Sequence, residues 1–167
     1  MKSSSTKSNP SPSSRTHPLL TIPTNAVSNT TDKIVMLTFG DTKKSQFTIA
    51  KPILDQYGFK ASFFITCNYA NDGDRNPRYH MSWNDILELQ NDGQDIESKG
   101  MTPIDLNNLS SSALNYQIAG SKYCLESHGI KSPNWFSAKY RDVWDNATVI
   151  NENIINLTAK LMMTIVS

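Results

Sequence analysis

Apolar and polar positions follow a repeating rhythm from about Asp32 onward. The run KIVMLTF (33–39) is continuously apolar and rich in β-formers, the pattern of a strand covered on both faces. Phe47, Ile49, Ile53, Leu54 and Tyr57 then recur at three- and four-residue spacings, with Gly58 placed as a helix-ending residue. Pro52 fits a helix only within its first turn, so this helix starts near Ala50. KASFFIT (60–66) reads as the second strand. After the polar stretch NYANDGDRNPRYHM, Ser82 and Asp85 have capping-box spacing, opening a helix that carries Trp83, Ile86, Leu87 and Leu89 and ends at Gly93. QDIES (94–98) is a short third strand. Ser110 caps a third helix with Leu114, Ile118 and Leu125 along one face, and Gly129 follows its end. NWFSA (134–138) reads as a fourth strand, and DVWDNATVINENI (142–154) as a weaker fourth helix.

Strand followed by helix, several times over, implies βαβ crossovers and a parallel sheet, so the predicted class is α/β. In such folds ligands bind beyond the carboxyl ends of the strands. The residues to watch are therefore Gly40 and Asp41, Thr66 and Cys67, Lys99 to Pro103, and Lys139 to Arg141. Four βα units make about half of a barrel. An open sheet edge predicts marginal stability or self-association.

Composition narrows the picture. The first residues, up to about Thr31, are dominated by Ser, Thr, Asn and Pro and are expected to be a disordered tail (1–31). A net charge of +1, without a Lys/Arg cluster, gives no support for nucleic-acid binding. Neither a membrane-spanning run nor a signal-peptide core stands out, so the compartment is unknown. Cys67 and Cys124 show no metal-type spacing and read as two partly buried thiols rather than a disulfide.

The stretch VMLTFGDTKKSQFTIAKPILDQYGFKASFFI (35–65) resembles the opening of the polysaccharide deacetylase family (NodB-homology domains, carbohydrate esterases), where a strand ends in Thr-Phe-Asp-Asp-Gly. MSWNDILELQNDGQDIESKGMTPIDLNNLS (81–110) is similar to the stretch carrying that family's second motif, and NWFSAKYRDVWDNATV (134–149) to its third. The resemblance implies an incomplete, distorted (β/α) barrel over 32–157, truncated at its carboxyl end, with 158–167 an unassigned tail. It implies a hydrolase acting on the carbon–nitrogen bonds of N-acetylated sugars, with carbohydrate as partner. It also implies a divalent metal, zinc or similar, held by one Asp and two His, with a second Asp as base.

Carried over residue by residue, the family's base position is Gly40 and its Asp ligand is Asp41. The two His positions are Lys99 and Pro103. The bracing Arg falls on Ser137, while the aromatic of the third motif is kept as Tyr140. With an ammonium in the ligand set, the metal site is expected to be degenerate, no cofactor is expected in this chain, and no catalytic residue is assigned. Two readings remain for Asp41: an ion pair with Lys99, shared by Glu97, or a cap on the first helix. Tyr140 and His80 are the candidate substrate-binding residues. Tyr79, Trp83 and Trp135 are further aromatics that could stack on sugar, with Trp83 and Trp135 expected in the core. The alternative function is an inactive family member that binds carbohydrate or has no activity of its own.

Overall fold

The computed structural model describes residues 35–107, 109–138, 144–145, 149–150, 152–160 and 164–166. The expected tail 1–31 lies outside them. The elements run β1 (Thr38–Phe39), a π-helical turn (Gln46–Ala50), α1 (Lys51–Tyr57), β2 (Ser62–Ile65), α2 (Cys67–Arg75), α3 (Trp83–Asn91) and β3 (Asp95–Ser98). They continue with α4 (Ser111–Ser127), β4 (Trp135–Ser137), β5 (Trp144–Asp145), β6 (Val149–Ile150), α5 (Glu152–Lys160) and β7 (Thr164–Val166). Strands β1-β2-β3-β4-β7 form one sheet in that order, all parallel. This is the parallel sheet that the βα rhythm predicts and the incomplete α/β barrel that the resemblance implies.

Local signals place most elements. Gly58 closes α1 at φ 67°, a backbone angle that favours glycine, and Pro52 sits in the helix's first turn. Ser82 and Asp85 form a reciprocal capping box on α3, with Asp85 accepting from the Ser82 amide at 2.8 Å. The Ser110 hydroxyl caps α4 by accepting from the Ala113 amide.

Side chains alternate across the strands, so each strand has a helix-facing and an inner-facing set. Phe63, Ile65 and Ile96 pack with Leu54, Ile86, Leu89 and Leu125 in one core cluster; Phe136 packs with Leu114, Ile118 and Ile154 in a second. Ser62, Phe64 and Thr66, then Asp95 and Glu97, then Trp135 and Ser137, therefore occupy the inner face.

Several expectations are corrected. Val35 and Met36 lie outside β1 and are 80% and 67% exposed; among the described residues β1 is an edge strand, with a neighbour on one side only. The polar stretch after β2 holds a helix, α2, whose buried residues are small: Cys67, Ala70 and Gly73. A Cβ at Gly73 would stand 2.0 Å from the Met81 carbonyl oxygen, so this helix exists only with glycine there. Residues 142–154 do not form one helix: β5 and β6 pair antiparallel, and α5 begins at Glu152. The aromatic and β-branched residues Trp144, Val149 and Ile150 favour strand over helix. The segment 158–167, which the sequence pattern leaves unassigned, supplies the end of α5 and the sheet's other edge strand, β7. Finally, Cys67 and Cys124 are joined as a disulfide across a Cα separation of 6.6 Å, because α2 and α4 pack side by side; their distance in sequence carries no sign of this.

Candidate functional site

The carboxyl ends of β1, β2, β3 and β4 meet in one mouth, and hydrogen bonds lock their loops together. Asp41 and Thr42 both have left-handed backbone, at φ 67° and 54°. Thr42 is fully buried; its hydroxyl accepts from the Thr66 amide at 2.8 Å and donates to the Thr66 carbonyl at 3.5 Å. The Gly40 carbonyl accepts from the Gln46 side chain. Beyond β3, the Cys67 and Asn68 amides donate to the Gly100 and Met101 carbonyls, both at 3.0 Å. From α4, Gln117 Oε1 accepts from the Met101 and Thr102 amides at 3.1 and 3.0 Å. This holds the bend that contains Pro103.

Three of the positions named in the sequence converge. The Lys99 stem lies across Gly40: a side chain at position 40 would begin 3.5 Å from Lys99 Cδ and Cε and 3.6 Å from Nζ. The Lys99 ammonium donates to Ser137 Oγ at 3.4 Å. Gly40, Lys99 and Ser137 thus share one spot. Tyr140 lies outside the described residues.

Neither reading of Asp41 holds. Among the described residues it forms no ion pair with Lys99, and α1 is entered through Ala50 with no side-chain cap. Its feature in the fold is a left-handed turn, a conformation Asp adopts more readily than most residues. Glu97 is not shared with Lys99 either. Its carboxylate accepts from the Trp135 amide at 2.7 Å, and burial, with Asp95 nearby, pushes its carboxyl up to about 7. Strand parity could have suggested the inner face for Glu97, but not this amide partner in the next strand.

His80 sits at the rim. Its ring stacks on Tyr69 at 4.2 Å and its Nδ1 lies 3.0 Å from Asp72 Oδ2. The adjacent Met81 amide donates to the Thr42 carbonyl at 2.9 Å, so this strip braces the first loop. Trp83 is buried as expected, stacked on His128 at 3.8 Å. Trp135 is not: it is 41% exposed, on the inner face by strand alternation.

A divalent ion needs about three protein ligands. Among the described residues no group of three or more His, Cys, Asp or Glu side chains is placed to hold one. At the mouth an ammonium and a proline stand at two of the positions that the resemblance assigns to ligands, and a protonated lysine repels a cation. The residues present do not fit the metal.

A parallel βα half-barrel whose strand ends converge on one mouth is the architecture of a carbohydrate-esterase barrel. The sequence model of the polysaccharide deacetylase family matches residues 27–166, and the chain belongs to that family. No curated protein sequence matches it significantly. Among solved structures it is similar to the Streptococcus pyogenes deacetylase PplD in complex with acetate, with a TM-score of 0.65, 19% identity, and coverage of 77% of this chain and 53% of that one. It is similar to a CE4 family pseudoenzyme from Bacillus anthracis, with a TM-score of 0.65, 15% identity, and coverage of 81% and 43%. It is also similar to a family 4 carbohydrate esterase from Streptomyces lividans in complex with acetate, with a TM-score of 0.61, 18% identity, and coverage of 80% and 61%. The chain therefore spans about half the length of these structures. At these identities the likeness shows the fold.

Proposed function

We propose that this polysaccharide deacetylase-family protein binds acetylated carbohydrate at the mouth of its half-barrel without hydrolysing it. The family's reaction is hydrolysis of the carbon–nitrogen bond of an N-acetylated sugar, a step in carbohydrate metabolism. It needs an activated water and a base to take its proton. The observation that carries the reading is Lys99 lying across Gly40 and reaching Ser137. A cation with no ion-pairing carboxylate among the described residues stands where the family's base would work. The exposed Trp135 ring, on the same strand as Ser137, offers a stacking surface for a sugar. His80 holds the rim in place, and Tyr140 is proposed as a second sugar contact. Among the described residues no helix is long and apolar enough to cross a membrane.

One feature favours a second reading, retained deacetylation: the acid at position 41, where the family places a metal ligand. The test is an acetate-release assay on N-acetylglucosamine oligomers with and without added zinc, beside a binding titration of the same oligomers. Binding without acetate release is expected. Release that disappears in Asp41→Ala overturns the reading in favour of hydrolysis.

We also propose that two copies associate through the β1 edge. Val35, Met36, Ile49, Ile53, Tyr57 and Phe59 are exposed there, and a strand edge can pair with its own copy about a two-fold axis. Sedimentation showing a concentration-dependent dimer is expected; a monomer at high concentration refutes it.

A further inference from the structure

The mouth contains, among the described residues, a cation without a counter-ion. Among the described residues, Lys99 has one hydrogen-bond partner, Ser137 Oγ at 3.4 Å, and no carboxylate within ion-pairing distance. The nearest candidates are otherwise engaged. Glu97, two residues earlier, accepts from the Trp135 amide, and Asp95 accepts from Ser62 Oγ at 2.9 Å. Asp41 belongs to a left-handed turn and does not reach the ammonium.

The groups around that cation are donors. Registers pair Ile65 with Ser98 and Ser98 with Phe136, so the next residues, Thr66, Lys99 and Ser137, form one row across three adjacent strands. By strand alternation the row lies on the inner face. The Thr66 hydroxyl is buried and has no hydrogen-bond partner among the described residues, a costly state for a polar group unless a ligand supplies one. Gly40, beneath the Lys99 stem, leaves the position without an acid that would repel an anion.

An ammonium donating to the Ser137 hydroxyl, in one strand-register row with a second hydroxyl at Thr66 and with no ion-pairing acid among the described residues, matches a group bearing one negative charge and two acceptor oxygens. We infer that the row Thr66, Lys99 and Ser137 is a carboxylate site, and that the mouth selects a sugar carrying a carboxylate over a neutral one. This rests on the proposal that the mouth takes carbohydrate, and it names which carbohydrate.

The experiment compares two tetrasaccharides by titration calorimetry at low salt. One consists of N-acetylglucosamine alone; the other alternates N-acetylglucosamine with glucuronate. The acidic tetrasaccharide is expected to bind about tenfold tighter, the scale of one charge-assisted contact. The advantage shrinks as salt rises. Lys99→Met is expected to bring the ratio of the two affinities toward one, whatever it does to each alone; Lys99→Arg, which keeps the charge, retains the ratio. An unchanged advantage in Lys99→Met, or equal affinities in the parent chain, overturns the carboxylate site and leaves carbohydrate binding standing. Binding of neither tetrasaccharide overturns both. Should Lys99→Met fail to fold, Ser137→Ala is the second variant: it is expected to weaken acidic binding more than neutral binding, and equal weakening of both ligands refutes the site.

Discussion

The two flanks of the sheet have similar apolar content and opposite fates. Where β2 and β3 pack on α3 and α4, Phe63, Ile86, Leu89 and Leu125 are completely covered. Where β1 meets α1, Leu54 is the one buried residue of the helix, and Ile49, Ile53 and Tyr57 lie open. Helical spacing on α1 is no worse than on α3. The difference is a neighbour: among the described residues the central strands are paired on both sides, and β1 is not. Apolar periodicity reports which face an element could bury, while burial itself depends on what stands opposite.

The sharpest way to break this comparison is one substitution on each flank. Gly73→Ala drives a Cβ into the Met81 backbone, with 2.0 Å available, and must separate α2 from the strip that braces the mouth. Loss of the fold is expected, a destabilisation above about 4 kcal/mol, the size reserved for steric conflict in a core. Ile53→Ser, on the open flank, is expected to change stability by less than about 0.5 kcal/mol. Urea melts of both variants check the pair. Comparable effects would show that the α1 face is covered in solution.

The disulfide comes next. Cys67–Cys124 closes a sequence separation of 57 residues and ties the start of α2 to α4, wholly within the packed flank. Removing a cross-link over such a loop costs about 4 kcal/mol through the freedom returned to the unfolded chain. Cys124→Ser, or the parent chain in excess reductant, should therefore melt well below the oxidised protein. Identical melting curves with and without reductant would show that the two thiols are unpaired.

Much of this architecture is legible in the residues. The βα rhythm, the Ser82–Asp85 box and Gly58 are local signals, and local hydrogen bonds or backbone angles decide them. Convergence of Gly40, Lys99 and Ser137 is legible too, because parallel strands bring their carboxyl ends together whatever the side chains. Other features depend on contacts that no window along the chain contains. Helix α2 buries only small residues, so it has no apolar stripe to read. The disulfide needs the packing of two helices, and the pairing of Glu97 with the Trp135 amide needs β3 beside β4. Asp41 illustrates the limit from the other side. Its neighbours suggest an ion pair or a cap, and contacts along the fold decide against both: no ion pair reaches Lys99 among the described residues, and α1 is entered through Ala50.

The inner face supplies the smallest effect. Glu97 is 2% exposed, and desolvation, with Asp95 adding to it, raises its carboxyl from an ordinary 4.5 to about 7. The folded protein thus holds the proton more tightly than the unfolded chain, so ionising the carboxyl favours unfolding. Stability is highest below about pH 4.5, declines as pH rises toward 7, and levels off above it. Glu97→Gln keeps an oxygen able to accept from the Trp135 amide and removes the titration. The variant is expected to be more stable than the parent by about 1 to 2 kcal/mol at pH 8, after allowing for solvent screening, with no advantage at pH 4. Chemical denaturation at the two pH values measures the difference. A variant weaker than its parent at pH 8 would mean that the ionised carboxylate is stabilised in the fold, and that Lys99 then has a counter-ion on the inner face after all.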